Sequence, residues 1–82
     1  MLVPLYGFLR GDTIGLVLLV QDTDRIRHVA AVMQEAAQVR VAPKARAKVY
    51  REGVLLDPEM TVARAGLAAL DRVDIVGEGE DL

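Results

Sequence analysis

The sequence predicts an α+β domain: a mixed five-stranded sheet, one α-helix across one face, and a single helical turn before the last strand. Three observations carry this reading. Ile26, Val29, Ala30, Met33 and Ala37 recur at helical spacing, one amphipathic stripe about three turns long. Strand-like apolar runs fall in pairs on either side of that stripe. The stretch MTVARAGL, Met60 to Leu67, sets a helix-starting Thr61 and a helix-stopping Gly66 five positions apart, just ahead of a final strand-like run.

Leu2 to Leu9 reads as the first strand, with Val3, Leu5 and Gly7 on one face and Leu2, Tyr6 and Phe8 on the other. Pro4 cannot donate to a ladder and belongs at an edge or a strand start. Arg10-Gly11-Asp12-Thr13 supplies turn residues, and Ile14 to Val20 a second, very apolar strand, so Leu2–Val20 is a β-hairpin. The RGD letters are explained by that turn. Asp24 is the expected N-cap of the helix, with Asp22 and Thr23 as alternatives. Arg25, Arg27, Gln34 and Glu35 fall off the apolar stripe and should be wet, and the alanines let the helix lie close on a sheet.

Val39 to Pro43 ends the helix, Ala42 being biased to extended backbone by the proline. Ala45 to Arg51 alternates as a third strand, Ala47 and Val49 against Lys48 and Tyr50. Glu52-Gly53 turns into a short fourth strand, Val54 to Leu56, which Asp57-Pro58 breaks. Arg72 to Val76 is the fifth, with Val73 and Ile75 in phase. To bury those two it must reach the middle of the sheet. The fenced turn then shortens the long connection and plugs the open end of the core with Val62 and Leu67. Residues 1–77 form one domain on this reading, and residues 78–82 an acidic tail expected to fray.

Composition excludes several functions. With 52% hydrophobic and 27% charged residues the chain can bury a core and is not disordered. There is no Cys, hence no disulfide, thiolate nucleophile or Cys-ligated metal, which fits a reducing, cytoplasmic setting. MLVPLYGFL has no basic leader and breaks at Pro4 and Gly7, so it reads neither as a signal peptide nor as a membrane span. The longest apolar run, Leu16 to Val20, falls far short of the roughly 20 residues a bilayer requires. Net charge of −2 gives no pull toward nucleic acid or anionic membrane. Charge is nevertheless uneven: Arg40, Lys44, Arg46, Lys48 and Arg51 crowd one region, and Asp71, Asp74, Glu78, Glu80 and Asp81 another.

No catalytic, cofactor-binding or metal-binding set emerges. His28 is the sole histidine and sits off the helix stripe, where a surface or half-buried side chain is expected, whereas a metal needs several convergent ligands. No Glu-x-x-His pair exists of the kind di-iron bundles use. There is no Ser, and neither Thr13 nor Thr61 has a His–acid partner. Gly7, Gly11 and Gly15 are not spaced as a phosphate loop, and Asp71 and Asp74 read as a solvated strand end.

The element order, with GDTI at the first turn, REG before the short fourth strand, then TVARAGL and VDIV, resembles the ubiquitin-like β-grasp fold over most of the chain. A nearer resemblance is to the small ubiquitin-like subunit of bacterial multicomponent toluene and aromatic monooxygenases, the toluene-4-monooxygenase system protein B family. It rests on the opening VPLYGFLRGD, on RVAP at Arg40 to Pro43, and on DPEMTVARAGL leading into DRVDIV. That resemblance implies a stoichiometric, non-catalytic small (gamma) subunit that docks on the large subunit of a hydroxylase for assembly and stability. The di-iron centre would lie in the large subunit and no cofactor in this chain. Ubiquitin-like domains present a partner-facing sheet surface where Lys48 and Tyr50 fall. Tyr50 would be a rigid anchor there, with Arg40, Arg46 and Lys48 pairing carboxylates of the partner. Ile26, Val29, Met33, Thr61, Gly66 and Leu67 are structural. The alternative is a free-standing ubiquitin-like interaction module. A sulfur carrier is less favoured, because the terminus GEGEDL would need processing after Gly77 or Gly79 and neither cut leaves Gly-Gly.

Overall fold

The computed structural model describes all of residues 1–82. Its elements run β1 (Leu2–Leu9), β2 (Gly15–Gln21), α1 (Ile26–Ala37), β3 (Lys48–Arg51), β4 (Val54–Leu55) and β5 (Arg72–Val76). The strands form one sheet in the order β2-β1-β5-β3-β4. β1 and β5 are parallel at the centre, and every other pairing is antiparallel. β4 and β5 both run antiparallel to β3 and lie on opposite sides of it, so β5 cannot be reached from β4 by a tight turn, which is why the chain needs the connection from residue 56 to 71.

Helix α1 buries the stripe that its periodicity predicts: Ile26, Val29, Ala30, Met33 and Ala37. They meet the inward side chains of the sheet, among them Val3, Leu5, Leu18, Val49, Val73 and Ile75, in one core cluster. At Gly7 the sheet and helix approach so closely that a Cβ would lie 2.9 Å from both Leu18 and the Met33 sulfur. Pro4 is tolerated because even-numbered residues of β1 turn their backbone groups toward β5. Its carbonyl accepts Leu70 N–H and Tyr6 N–H reaches Asp71, so the missing donor at Pro4 lies just ahead of the β5 ladder.

The fenced turn is built as the sequence implies. Thr61 Oγ1 accepts the Arg64 N–H at 3.1 Å, and Ala65 N–H bonds the Thr61 carbonyl at 3.0 Å. Gly66 then takes φ +74°, with Gly66 N–H on the Ala63 carbonyl and Leu67 N–H on the Val62 carbonyl. That is the paired-bond ending of a helix, applied to a single turn. Val62 is wholly buried and Leu67 nearly so.

Tertiary contacts change four local expectations. The residue at the helix N-cap is Arg25, with no side-chain cap; Ile26 N–H and Arg27 N–H are satisfied by the Met60 and Pro58 carbonyls instead. Asp24, the expected cap, turns its carboxylate back to Gln21 N–H at 2.7 Å. Strand β3 starts at Lys48 rather than Ala45, because Arg46 sits at φ +51° and interrupts extended backbone. Gln34 is half-buried rather than wet, clamping both the N–H and the carbonyl of Lys44 with its side-chain amide. The tail is also held: Glu78 N–H bonds the Ala45 carbonyl, and Glu80 reaches Lys44 at 2.8 Å. The Glu52-Gly53 link has positive φ at both residues, as a two-residue hairpin turn requires.

Candidate functional site

One face of the sheet carries the helix; the other carries no helix, although Val76 of β5 is buried on it. The open face is assembled from alternate residues. Leu2, Pro4, Tyr6 and Phe8 of β1 stand opposite Gln21, Leu19, Val17 and Gly15 of β2. Beyond them lie Arg72 and Asp74 of β5, then Lys48 and Tyr50 of β3, with Leu55 of β4 facing Tyr50. Its two halves differ. The β1–β2 half is apolar and unusually bare: Leu2, Tyr6, Val17 and Leu19 are 53%, 42%, 59% and 60% exposed. Toward the centre the Tyr6 and Phe8 rings pack 4.8 Å apart, and the Arg72 guanidinium lies 4.0 Å above Phe8. Arg72 is held there by Asp74 at 3.0 Å.

The basic cluster seen in the sequence is largely neutralised by the acidic one. Lys44 pairs with Glu80, Arg46 with Glu78 at 3.2 Å, and Arg51 with Asp71 at 3.1 Å. Arg40 is turned to Asp12, donating from Nε at 3.1 Å and from Nη2 at 2.9 Å. Asp12 also accepts Thr13 N–H at 2.8 Å, so one carboxylate anchors the β1–β2 turn and ties it to the segment after the helix. The Arg40 hydrogen bonds hold the Asp12 carboxyl below its ordinary range, and Lys44 does the same to Glu80. Of the four residues expected to meet a partner, Arg40 is therefore already engaged within the chain. Arg46 is 80% exposed but paired, Tyr50 is half-buried on the open face, and Lys48 is exposed. Among the five clustered cations Lys48 alone has no acidic partner.

His28 is exposed and stands 3.9 Å from Asp24. No three His, Cys, Asp or Glu side chains converge as a metal would require, so the residues present do not fit a di-iron centre. No helix is long and apolar enough to cross a membrane. The apolar patch of Leu2, Tyr6, Val17 and Leu19 was missed in the sequence. Its signal was present, since β2 is apolar at every position from Leu16 to Val20, where a strand covered on one face should alternate.

Residues 2–76 match the family described as Toluene-4-monooxygenase system protein B (TmoB). The chain belongs to that family. As a TmoB-family chain it is an accessory component of a multicomponent toluene monooxygenase system and is not catalytic alone. Among solved structures, a chain of the toluene 4-monooxygenase HD complex with the inhibitor 4-bromobenzoate superposes with a TM-score of 0.88 at 24% identity. The match covers 95% of this chain and 100% of that one. The ubiquitin of Caldiarchaeum subterraneum superposes over the full length of both chains with a TM-score of 0.75 at 14% identity. A chain from a structure describing molecular mimicry of SUMO in DNA repair gives 0.72 at 21% identity, covering 92% of this chain and 90% of that one. These likenesses establish the ubiquitin-like β-grasp fold. No curated protein matches the sequence.

Proposed function

We propose that this TmoB-family chain docks on the large subunit of a cytoplasmic di-iron aromatic monooxygenase hydroxylase and contributes to its assembly and stability. The di-iron centre is assigned to that large partner, because this chain has no convergent ligand set. The observation that carries the reading is the bare sheet face. A monomer of this size has no folding reason to leave Leu2, Tyr6, Val17 and Leu19 in water, and exposed apolar patches of that kind mark binding surfaces. Lys48 and Tyr50 lie on the same face and are proposed as its polar margin, Lys48 meeting a carboxylate and Tyr50 packing as a rigid anchor. Arg46 can join them only by leaving Glu78, and Arg40 acts through the Asp12 anchor.

Co-expression of the tagged chain with the large hydroxylase subunit tests this. The expected result is a roughly stoichiometric complex that survives purification. A chain that purifies alone as a monomer in the presence of the large subunit would defeat the reading. Within the complex, Tyr50→Ala is expected to leave the fold intact and weaken association about tenfold; unfolding instead would make Tyr50 part of the core.

A further inference from the structure

The two edges of the sheet are unequal. β4 is two residues long and is followed at once by Leu56 and Asp57-Pro58, so it offers little to pair with. β2 is seven residues long, with no charge, no Pro and no bulge in its register against β1. Those are the devices by which natural edge strands are blunted, and β2 has none of them.

The backbone of β2 has a definite free side. Pro4 and Tyr6 direct their backbone groups toward β5, so the pairs Val3–Val20, Leu5–Leu18 and Gly7–Leu16 hold the β1–β2 ladder together. The N–H and C=O of Val17 and of Leu19 therefore point away from β1, to the open edge. At Gln21 the same outward groups are already closed within the chain. Asp24 Oδ2 accepts the Gln21 N–H at 2.7 Å, and Asp24 N–H bonds the Gln21 carbonyl at 3.0 Å. The unpaired edge is thus bounded: it ends at Gln21 and centres on Val17 and Leu19, whose side chains are also among the most exposed apolar ones of the bare face.

The geometry points to β-strand addition: an extended, uncharged segment of the large hydroxylase subunit pairs with β2 at Val17 and Leu19, and the body of that subunit covers the adjoining Leu2–Tyr6–Val17–Leu19 surface. This rests on the docking proposed above and specifies its mode. A second copy of this chain fits less well, for a geometric reason. Two β2 strands paired antiparallel about a two-fold axis lie in one continuous sheet with both bare faces on the same side. The apolar surface, on the order of 400 Å² per chain, would be doubled rather than covered. That area is also only about half of the roughly 800 Å² per partner that a stable interface takes, so a partner extending beyond the patch is required. An uncharged edge likewise selects an uncharged segment, since a charge opposite Val17 or Leu19 would be desolvated without a counter-ion.

The test uses the wild-type complex first. Hydrogen exchange in the chain alone and in the assembled hydroxylase, read on this chain after quenching, should slow at the Val17 and Leu19 amides by roughly tenfold or more on assembly. The Leu16, Leu18 and Val20 amides, already bonded to β1, should be slow in both states. A complex that forms with Val17 and Leu19 exchanging as in the free chain overturns strand addition while leaving docking in place. Failure to form a complex overturns both. Protection of the same amides in the isolated chain, rising with its concentration, would assign the edge to a second copy and overturn the choice of partner. Leu19→Pro removes the outward N–H together with the exposed leucine side chain, leaves the β1–β2 ladder bonds in place, and should cut capture of the large subunit at least about tenfold. Should that variant fail to fold, Val17→Lys places a charge on the same edge without touching the backbone and is expected to give the same loss; undiminished capture by a folded variant overturns the proposal.

Discussion

The two faces of the sheet are made from the same strands and are almost equally apolar along β1 and β2, yet they meet opposite fates. Val3, Leu5, Leu18 and Val20 are sealed under helix α1, each 4% exposed or less, while their neighbours Leu2, Tyr6, Val17 and Leu19 stand in water. The contrast teaches that apolar content in this chain exceeds what its own fold consumes. It also creates a problem of register. Where both faces of a strand are apolar, a one-residue slip is not punished by exposure of the core set. The chain meets this with polar pins at both ends of the hairpin. At the turn, Asp12 holds the Thr13 N–H and the Arg40 side chain. At the far end the amino terminus meets Asp22 at 2.8 Å, and Asp22 N–H bonds the Met1 carbonyl.

The covered face should give the largest response to mutation. Met33→Ala removes a wholly buried side chain between α1 and β1, and a loss of about 2–5 kcal/mol in unfolding free energy is expected by denaturant titration. A loss below about 1 kcal/mol would mean the helix is not packed on the sheet as described. Gly66→Val comes next. The added Cβ has open space, its nearest neighbour being Arg51 Nη1 at 3.8 Å, so the cost is the left-handed backbone alone, about 1–3 kcal/mol. An unchanged melting temperature would contradict the paired-bond ending of that turn.

Asp12→Asn tests the register pin, and its effect should depend on pH. The Asp12 carboxyl is lowered from 3.8 chiefly by the Arg40 hydrogen bonds. A carboxyl lowered by folding stabilises the native state above its ordinary range, and that contribution is lost as pH falls through the lowered value. The difference in melting temperature between wild type and variant should therefore be greatest near neutrality and close below about pH 4. A difference that stays constant down to pH 2 would show that the pair is not the cause. The smallest effect belongs to the bare face. Val17→Thr should change the stability of the isolated chain by no more than about 0.5 kcal/mol, and a larger loss would mean that this face is covered within the chain itself.

Much of the fold is legible in the sequence because its signals are local. The helix stripe from Ile26 to Ala37, the bounds of β1 and β5, and the Thr61–Gly66 turn each depend on residues a few positions apart. What the sequence does not show has a different origin. Asp24 is a good cap by its chemistry, but the donors it would satisfy are taken by carbonyls more than thirty residues away, at Pro58 and Met60. Arg40 and Arg46 look available for a partner until the fold brings Asp12 and Glu78 to them. Strand alternation alone sets Lys48 and Tyr50 on the face opposite Ala47 and Val49, and that needs nothing more than period two.

By itself the sequence determined the period of each element and the places where backbone must turn, since these depend on side-chain identity over short spans. Only the tertiary structure decided which charges cancel and which edge stays unpaired. Ion pairs such as Lys44–Glu80, and the placing of β5 between β1 and β3, exist only once distant segments are packed. The same packing gives the helix to one side of the sheet and leaves Val17 and Leu19 on the other. A single helix covers one face of a sheet, and the chain has no second one.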